Sequence, residues 1–225
     1  MFCALYSTKT TTATAGPSLL ALYGKGNIVE YSELEKLIGR ADRFRKRLHE
    51  KQGDGTGWPF TVESGESHYI SIDGVKSPEE LEDDISSMFI WLWNLKDYVK
   101  KYVVKNGKSK DWVEAKVNLD PHLCICADLA NSLKHGGLDL NPRFKPRSGK
   151  SPRLGTLKYQ APQKAISSLS LGVFDVNVNV SNPEFVKLEM PVLGESDRIL
   201  GDAFKYLEYA LKAWEQIVKE ADNTV

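Results

Sequence analysis

Asp128, Asn131, Lys134 and His135 close an otherwise apolar run that stops at Gly136-Gly137. At 3.6 residues per turn, Asp128, Asn131 and His135 fall at i, i+3 and i+7 and share one helical face. Leu123, Cys126, Ala127, Ala130 and Leu133 take the opposite, core-facing side. A polar stripe of this kind, running to an imidazole, is the first place to look for acid–base chemistry. Metal-independent RNA cleavage needs a base for the ribose 2′-OH, an acid for the leaving oxygen and a cation for the phosphorane. An imidazole titrates near neutrality, so His135 suits the base or the acid role. Asn131, one turn back, would orient the imidazole or the phosphate. Lys134 would supply the cation, from about 100° around the helix. Asp128 would hold the imidazole or Lys134 in place.

The same residues have a plain structural reading. Lys134-His135 ahead of Gly136-Gly137 makes a good helix end, with cations at the negative end of the dipole and glycine in the left-handed cap. Asp128 and Asn131 would then tie this helix to Asp97 or Lys101 on a neighbour.

A basic segment follows at once. Residues 141–158 carry three prolines and six cations, Arg143, Lys145, Arg147, Lys150, Arg153 and Lys158, with no acidic residue. Placed after a candidate imidazole, these cations would hold a phosphate backbone beside it. As a Pro-rich loop, the segment would instead be solvated surface. Gly149-Lys150-Ser151 is similar to the tail of a phosphate-binding loop, but Phe144 stands where the first glycine belongs. Gly53-Asp54-Gly55-Thr56-Gly57 follows a helix and lacks the Gly-Lys-Ser/Thr ending, so it reads as a connector.

The elements that must position these groups are mostly helical. Apolar stripes at helical spacing run over about 29–50, to about 104 after the start signal Ser77-Pro78-Glu79-Glu80, and over about 197–221. A further helical region spans about 111–135, with a break expected at Asp120-Pro121. Strict alternation in Phe174–Val180, near alternation in Phe185–Met190, and Thr156–Gln160 predict two or three antiparallel strands. Ser67–Asp73 predicts a short extended piece. The expected fold is mainly α: a four-helix bundle with a small antiparallel β insertion before the last helix. The domain plan is an N-terminal arm over 1–27 and one domain over 28–221, with the basic loop and strands at 139–194.

The totals narrow the function classes. Thirty Lys and Arg balance thirty Asp and Glu, so no whole-molecule field steers the chain to nucleic acid or anionic lipid. Cys124 and Cys126 lie about 200° apart on a helix and cannot chelate one metal together. With Cys3 they read as reduced thiols of a cytoplasmic protein. No apolar run approaches a membrane span, Met1–Ser18 lacks the pattern of a secretory signal, and no cofactor or metal is expected.

The helix-end motif resembles that of the HEPN superfamily, all-helical domains with Arg-(Asn/Asp/His)-x-x-x-His at the end of the third core helix. Asn131-Ser132-Leu133-Lys134-His135 matches the polar residue and the terminal His, and Ala130 stands at the position of the Arg. The long helix with Trp93-Asn94-Leu95-Lys96-Asp97 before it, and the closing helix after it, fit the same resemblance. It implies an RNA-binding or RNA-cleaving protein, in the second case a metal-independent endoribonuclease. It also implies a homodimer with a composite site and a defence or toxin–antitoxin setting, with an antitoxin or other protein as partner. The alternative is a non-catalytic interaction or dimerisation module whose polar stripe is structural.

Overall fold

Ser77 caps the longest helix as its sequence predicts. Its hydroxyl accepts from the Glu80 N–H at 3.2 Å, and the Glu80 carboxylate accepts from the Ser77 N–H at 2.9 Å, a reciprocal capping box with Pro78 in the first turn. This helix, α2 (Pro78–Lys105), is the hub of the helical part in the computed structural model, which describes residues 28–136 and 146–222. Around it stand α1 (Ile28–His49), α3 (Lys110–Leu119), α4 (Pro121–His135) and α5 (Ala203–Asp222), each in contact with α2. Leu81, Ile85, Met88, Phe89, Leu92, Leu95, Val99 and Val103 form the buried stripe of α2 and meet Leu123, Ile125 and Leu129 of α4 and Leu207, Leu211 and Trp214 of α5 in one apolar core. The expected break falls between α3 and α4. Asp120 is extended there and caps α4 by accepting from the N–H groups of His122 and Leu123 at 2.8 and 3.0 Å.

The β part overturns the expected class. Nine strands form three sheets of four, three and two strands among the described residues. Two of them, β1 (Thr56–Thr61) and β2 (Ser67–Asp73), precede α2 and form a hairpin. The others are β3 (Arg153–Leu154), β4 (Lys158–Gln160), β5 (Ile166–Leu171), β6 (Asp175–Val180), β7 (Lys187–Glu189), β8 (Pro191–Leu193) and β9 (Ile199–Asp202). The four-stranded sheet has the order β1-β2-β6-β5 and is mixed, because β2 and β6 run parallel. The expectation of an all-α, four-helix bundle with a small antiparallel insertion therefore does not hold. There are five helices among the described residues, and the hairpin before α2 supplies half of the largest sheet. The cause is long-range pairing: β2 finds β6 on its open side, and Ser71 and Asn177, 106 residues apart, meet side by side. The segment 197–202 is also not helical. Asp202 caps α5, one carboxylate oxygen accepting from the Lys205 N–H at 3.2 Å and the other from Met190 at 3.1 Å.

Among the described residues no helix lies extensively on the four-stranded sheet. A second small core of Val75, Ala165, Val180 and Val186 covers one end of it. Lys51, which donates to the carbonyls of Glu184 and Val186, and the Tyr159 hydroxyl, which donates to the Lys76 carbonyl at 2.8 Å, join this end to the helices. Among the described residues no helix is long and apolar enough to cross a membrane.

Candidate functional site

Helix α4 is buried all round from Leu123 to Ala130, and this changes the meaning of its polar stripe. Asp128 has no exposed surface. Its two oxygens accept backbone hydrogen bonds from Arg147 at 2.8 Å and Ser148 at 2.7 Å. A buried carboxylate needs such partners, and here it clamps the 146–148 turn onto α4. His135 lies seven residues on, about 10.5 Å along the helix axis, and is exposed. The structure therefore does not bring Asp128 and His135 into one cleft. Asn131 is half-buried between them. Lys134 donates to the Asn94 side-chain oxygen at 2.7 Å, linking the end of α4 to α2. Neither the Asp97 nor the Lys101 tie expected for Asp128 is present; the backbone of the basic loop takes that place. Gly136 adopts the left-handed cap, with φ 69° and ψ 25°.

The described cations of the basic segment are mostly engaged. The Arg147 guanidinium donates to Glu114 at 2.9 Å and to Asn118, and lies 5.3 Å from the centre of the Trp93 ring. Glu114 also accepts from Lys100. Burial pushes the Glu114 carboxyl up, but the hydrogen bonds and charges of Lys100 and Arg147 outweigh it and hold the carboxyl below its ordinary value. Arg153 contacts Asp197, and Lys158 stands opposite Glu189 across β4–β7. Lys150 lines an open cleft of about 430 Å³ with Gly149, Arg198, Glu195, Ile199 and Leu200. Arg143 and Lys145 lie outside the described residues. Charge that sequence assigns to a phosphate backbone is thus held at Arg147 by a half-buried carboxylate, whereas the Arg153–Asp197 pair lies at the surface.

The two described thiols, Cys124 and Cys126, are equally occupied, and Cys3 lies outside the described residues. Cys126 is fully buried and contacts the Tyr206 carbonyl, and burial pushes its thiol far up, away from the reactive thiolate. Among the described residues no three or more His, Cys, Asp and Glu side chains gather as a metal site.

Sequence reasoning missed a different surface. In the four-stranded sheet, paired residues put Trp58, Ile70, Val176 and Leu171 in one row across all four strands. Thr56, Ile72, Val178 and Leu169 make the next row. A third row is aromatic: His68 sits between Phe60 and Phe174, with ring centres 5.2 and 5.7 Å away. This face carries no Asp, Glu, Lys or Arg. The opposite face carries Ser71, Asn177 and Ser170 in one row and Asp73, Asn179 and Ser168 in another. Away from the end covered by Val186, the apolar face is open: Trp58 is 42%, Leu169 59% and Leu171 73% exposed. The alternation of Phe174–Val180 is the signal that could have located it, since a strand with one apolar side implies a partner for that side.

No protein-family model, curated protein or solved structure matches this chain in comparison.

Proposed function

We propose that this chain is a non-catalytic protein-interaction module, in which the polar residues of α4 hold the fold together and the open sheet face meets an apolar protein surface. The observation that carries this reading is the uncharged face of β1, β2, β6 and β5, with Trp58, Leu169 and Leu171 in water. The largest apolar patch on a protein surface is often its interaction site. The site chemistry supports the same reading from the other side. Asp128 is consumed by two backbone N–H groups, Arg147 by Glu114, and Lys134 by Asn94. His135 is left at the helix end with no base or orienting carboxylate beside it among the described residues.

Two measurements test the reading. Single-stranded and hairpin RNAs incubated with the full chain in EDTA remain uncut. Cleavage leaving a 2′,3′-cyclic phosphate, abolished by His135→Ala, overturns the proposal in favour of an endoribonuclease. An apolar dye added at about 1 µM protein binds the native chain, and Leu171→Ser reduces that binding without moving the thermal midpoint. A native chain that leaves the dye unbound overturns the open apolar face.

A further inference from the structure

Resting on the interaction reading above, we infer that the partner is a second copy of this chain, which lays its four-stranded sheet face to face on the first. A sheet with one apolar face is stable when a second layer covers that face. Among the described residues, that layer is the small core of Val75, Ala165, Val180 and Val186, which reaches as far as Ile72 and Val178 and leaves Trp58, Leu169 and Leu171 exposed. Two copies related by a two-fold axis supply each other with the missing layer and build an eight-stranded sandwich, the sheets about 10 Å apart.

Charge favours this occupant. The apolar face has no Asp, Glu, Lys or Arg, so like faces meet without like-charge repulsion. The whole chain is balanced, with 30 basic and 30 acidic residues, so two copies do not repel at a distance either. From Ala165 to Phe174, around β5, no residue is charged.

The area sets the strength. Four strands about 4.8 Å apart and six residues at about 3.3 Å each give a footprint of about 19 by 20 Å, close to 400 Å². That is about half of the roughly 800 Å² each partner contributes to a standard stable complex. An interface of that size or less is of the transient class, so the dimer is reversible. Edge pairing is the other way two sheets can join. Pro59 removes a donor from β1, while β5 has an open edge. Pairing through β5, however, leaves Trp58, Leu169 and Leu171 in water, whereas face packing buries them.

The test is sedimentation of the full chain from about 1 to about 200 µM, in low salt and in about 1 M salt. The expected result is a monomer–dimer equilibrium that high salt does not weaken. Leu171→Lys, at a position already mostly in water, raises the dissociation constant at least about tenfold with the thermal midpoint unchanged. Ser170→Lys, on the neighbouring residue but the opposite face, leaves the dimer intact. A dimer that survives Leu171→Lys, or one lost equally in Ser170→Lys, overturns face packing. A chain that stays monomeric at the highest concentration overturns self-association. In that case the dye experiment still decides separately whether the face is open to another protein.

Discussion

The carboxylate of Asp128 and the backbone N–H of Ser148 meet at 2.7 Å in the interior, with the N–H of Arg147 on the other carboxylate oxygen at 2.8 Å. One acidic side chain on α4 thus fixes the entry of the chain into β3. The Arg147 side chain continues outward from the same turn to Glu114 and Asn118 on α3. A single turn of loop ties two helices together, through its backbone on one side and its guanidinium on the other. The polar group that most invites a catalytic reading in the sequence is a strut.

Removing that strut should be costly. Asp128→Ala leaves two part-buried N–H groups without acceptors; an unsatisfied donor costs about 1–3 kcal/mol when fully buried, and with part of that recovered from water a combined loss of about 2–4 kcal/mol is expected. In a chain of this size that lowers the thermal midpoint by about 5–15 °C. Asp128→Asn keeps one acceptor oxygen but sets an amide N–H₂ against the other donor, and falls between the wild type and Ala. Urea melts of the three proteins check this ordering. A change below about 0.5 kcal/mol for Asp128→Ala would sink the structural role.

The end of the same helix should behave oppositely. Lys134 and His135 are exposed, and the Lys134–Asn94 hydrogen bond lies at the surface. Lys134→Ala and His135→Ala are each expected to shift stability by less than about 1 kcal/mol, the range of an exposed pair or a helix-end cation. The contrast between Asp128 and His135, seven residues apart on one helix, is read in the same urea melts. A His135→Ala loss as large as that of Asp128→Ala would place His135 in a buried network instead.

Periodicity made the helices legible, and Ser77-Pro78 and Asp120-Pro121 marked two boundaries through cap and proline chemistry that is local by nature. Alternation likewise located β2 and β6. What escaped was non-local or punctuated. β1 runs through Gly57 and Pro59, residues that read as breaks, and Ile199-Leu200 fits a helical stripe although it belongs to β9. β5 is half serine, and its bulge between Ile166 and Ser168 shifts the alternation. The parallel pairing of β2 with β6 has no local signature. The site failed for a related reason: helix spacing puts Asp128 on a face, but only the fold brings the 146–148 turn over that face.

Acid should loosen the α2–α3–loop cluster through Glu114. Its carboxyl titrates lower in the folded chain than its ordinary 4.5 because Lys100 and Arg147 outweigh the effect of burial. A depressed carboxylate contributes stability that is fully present above the unfolded value and is lost as pH falls through the folded one. The wild-type urea midpoint should therefore fall between about pH 5 and about pH 3, and Glu114→Gln should flatten part of that fall while lowering stability at pH 7. Equal slopes in the two proteins would mean that Glu114 contributes nothing to acid unfolding.

Two glycines separate backbone strain from close approach. Gly74, at the end of β2, and Gly136, capping α4, have φ of +84° and +69°, so each costs a side chain about 1 kcal/mol or more in conformation alone. Around Gly136 an added Cβ meets nothing within 4 Å; at Gly74 it comes within 2.1 Å of the Val180 carbonyl oxygen. That oxygen belongs to the backbone of β6 and cannot swing aside as a flexible side chain does. Gly136→Ala is thus expected to cost about 1–2 kcal/mol, and Gly74→Ala clearly more, because β2 and β6 must part where the sheet joins its small core. The excess at Gly74 should appear locally, as faster amide exchange at Asp73, Val178 and Val180, whose N–H groups lie between β2 and β6, with α4 amides unchanged. Equal losses for the two variants, or exchange that rises uniformly over the chain, would show that β2 and β6 are not held together at this point.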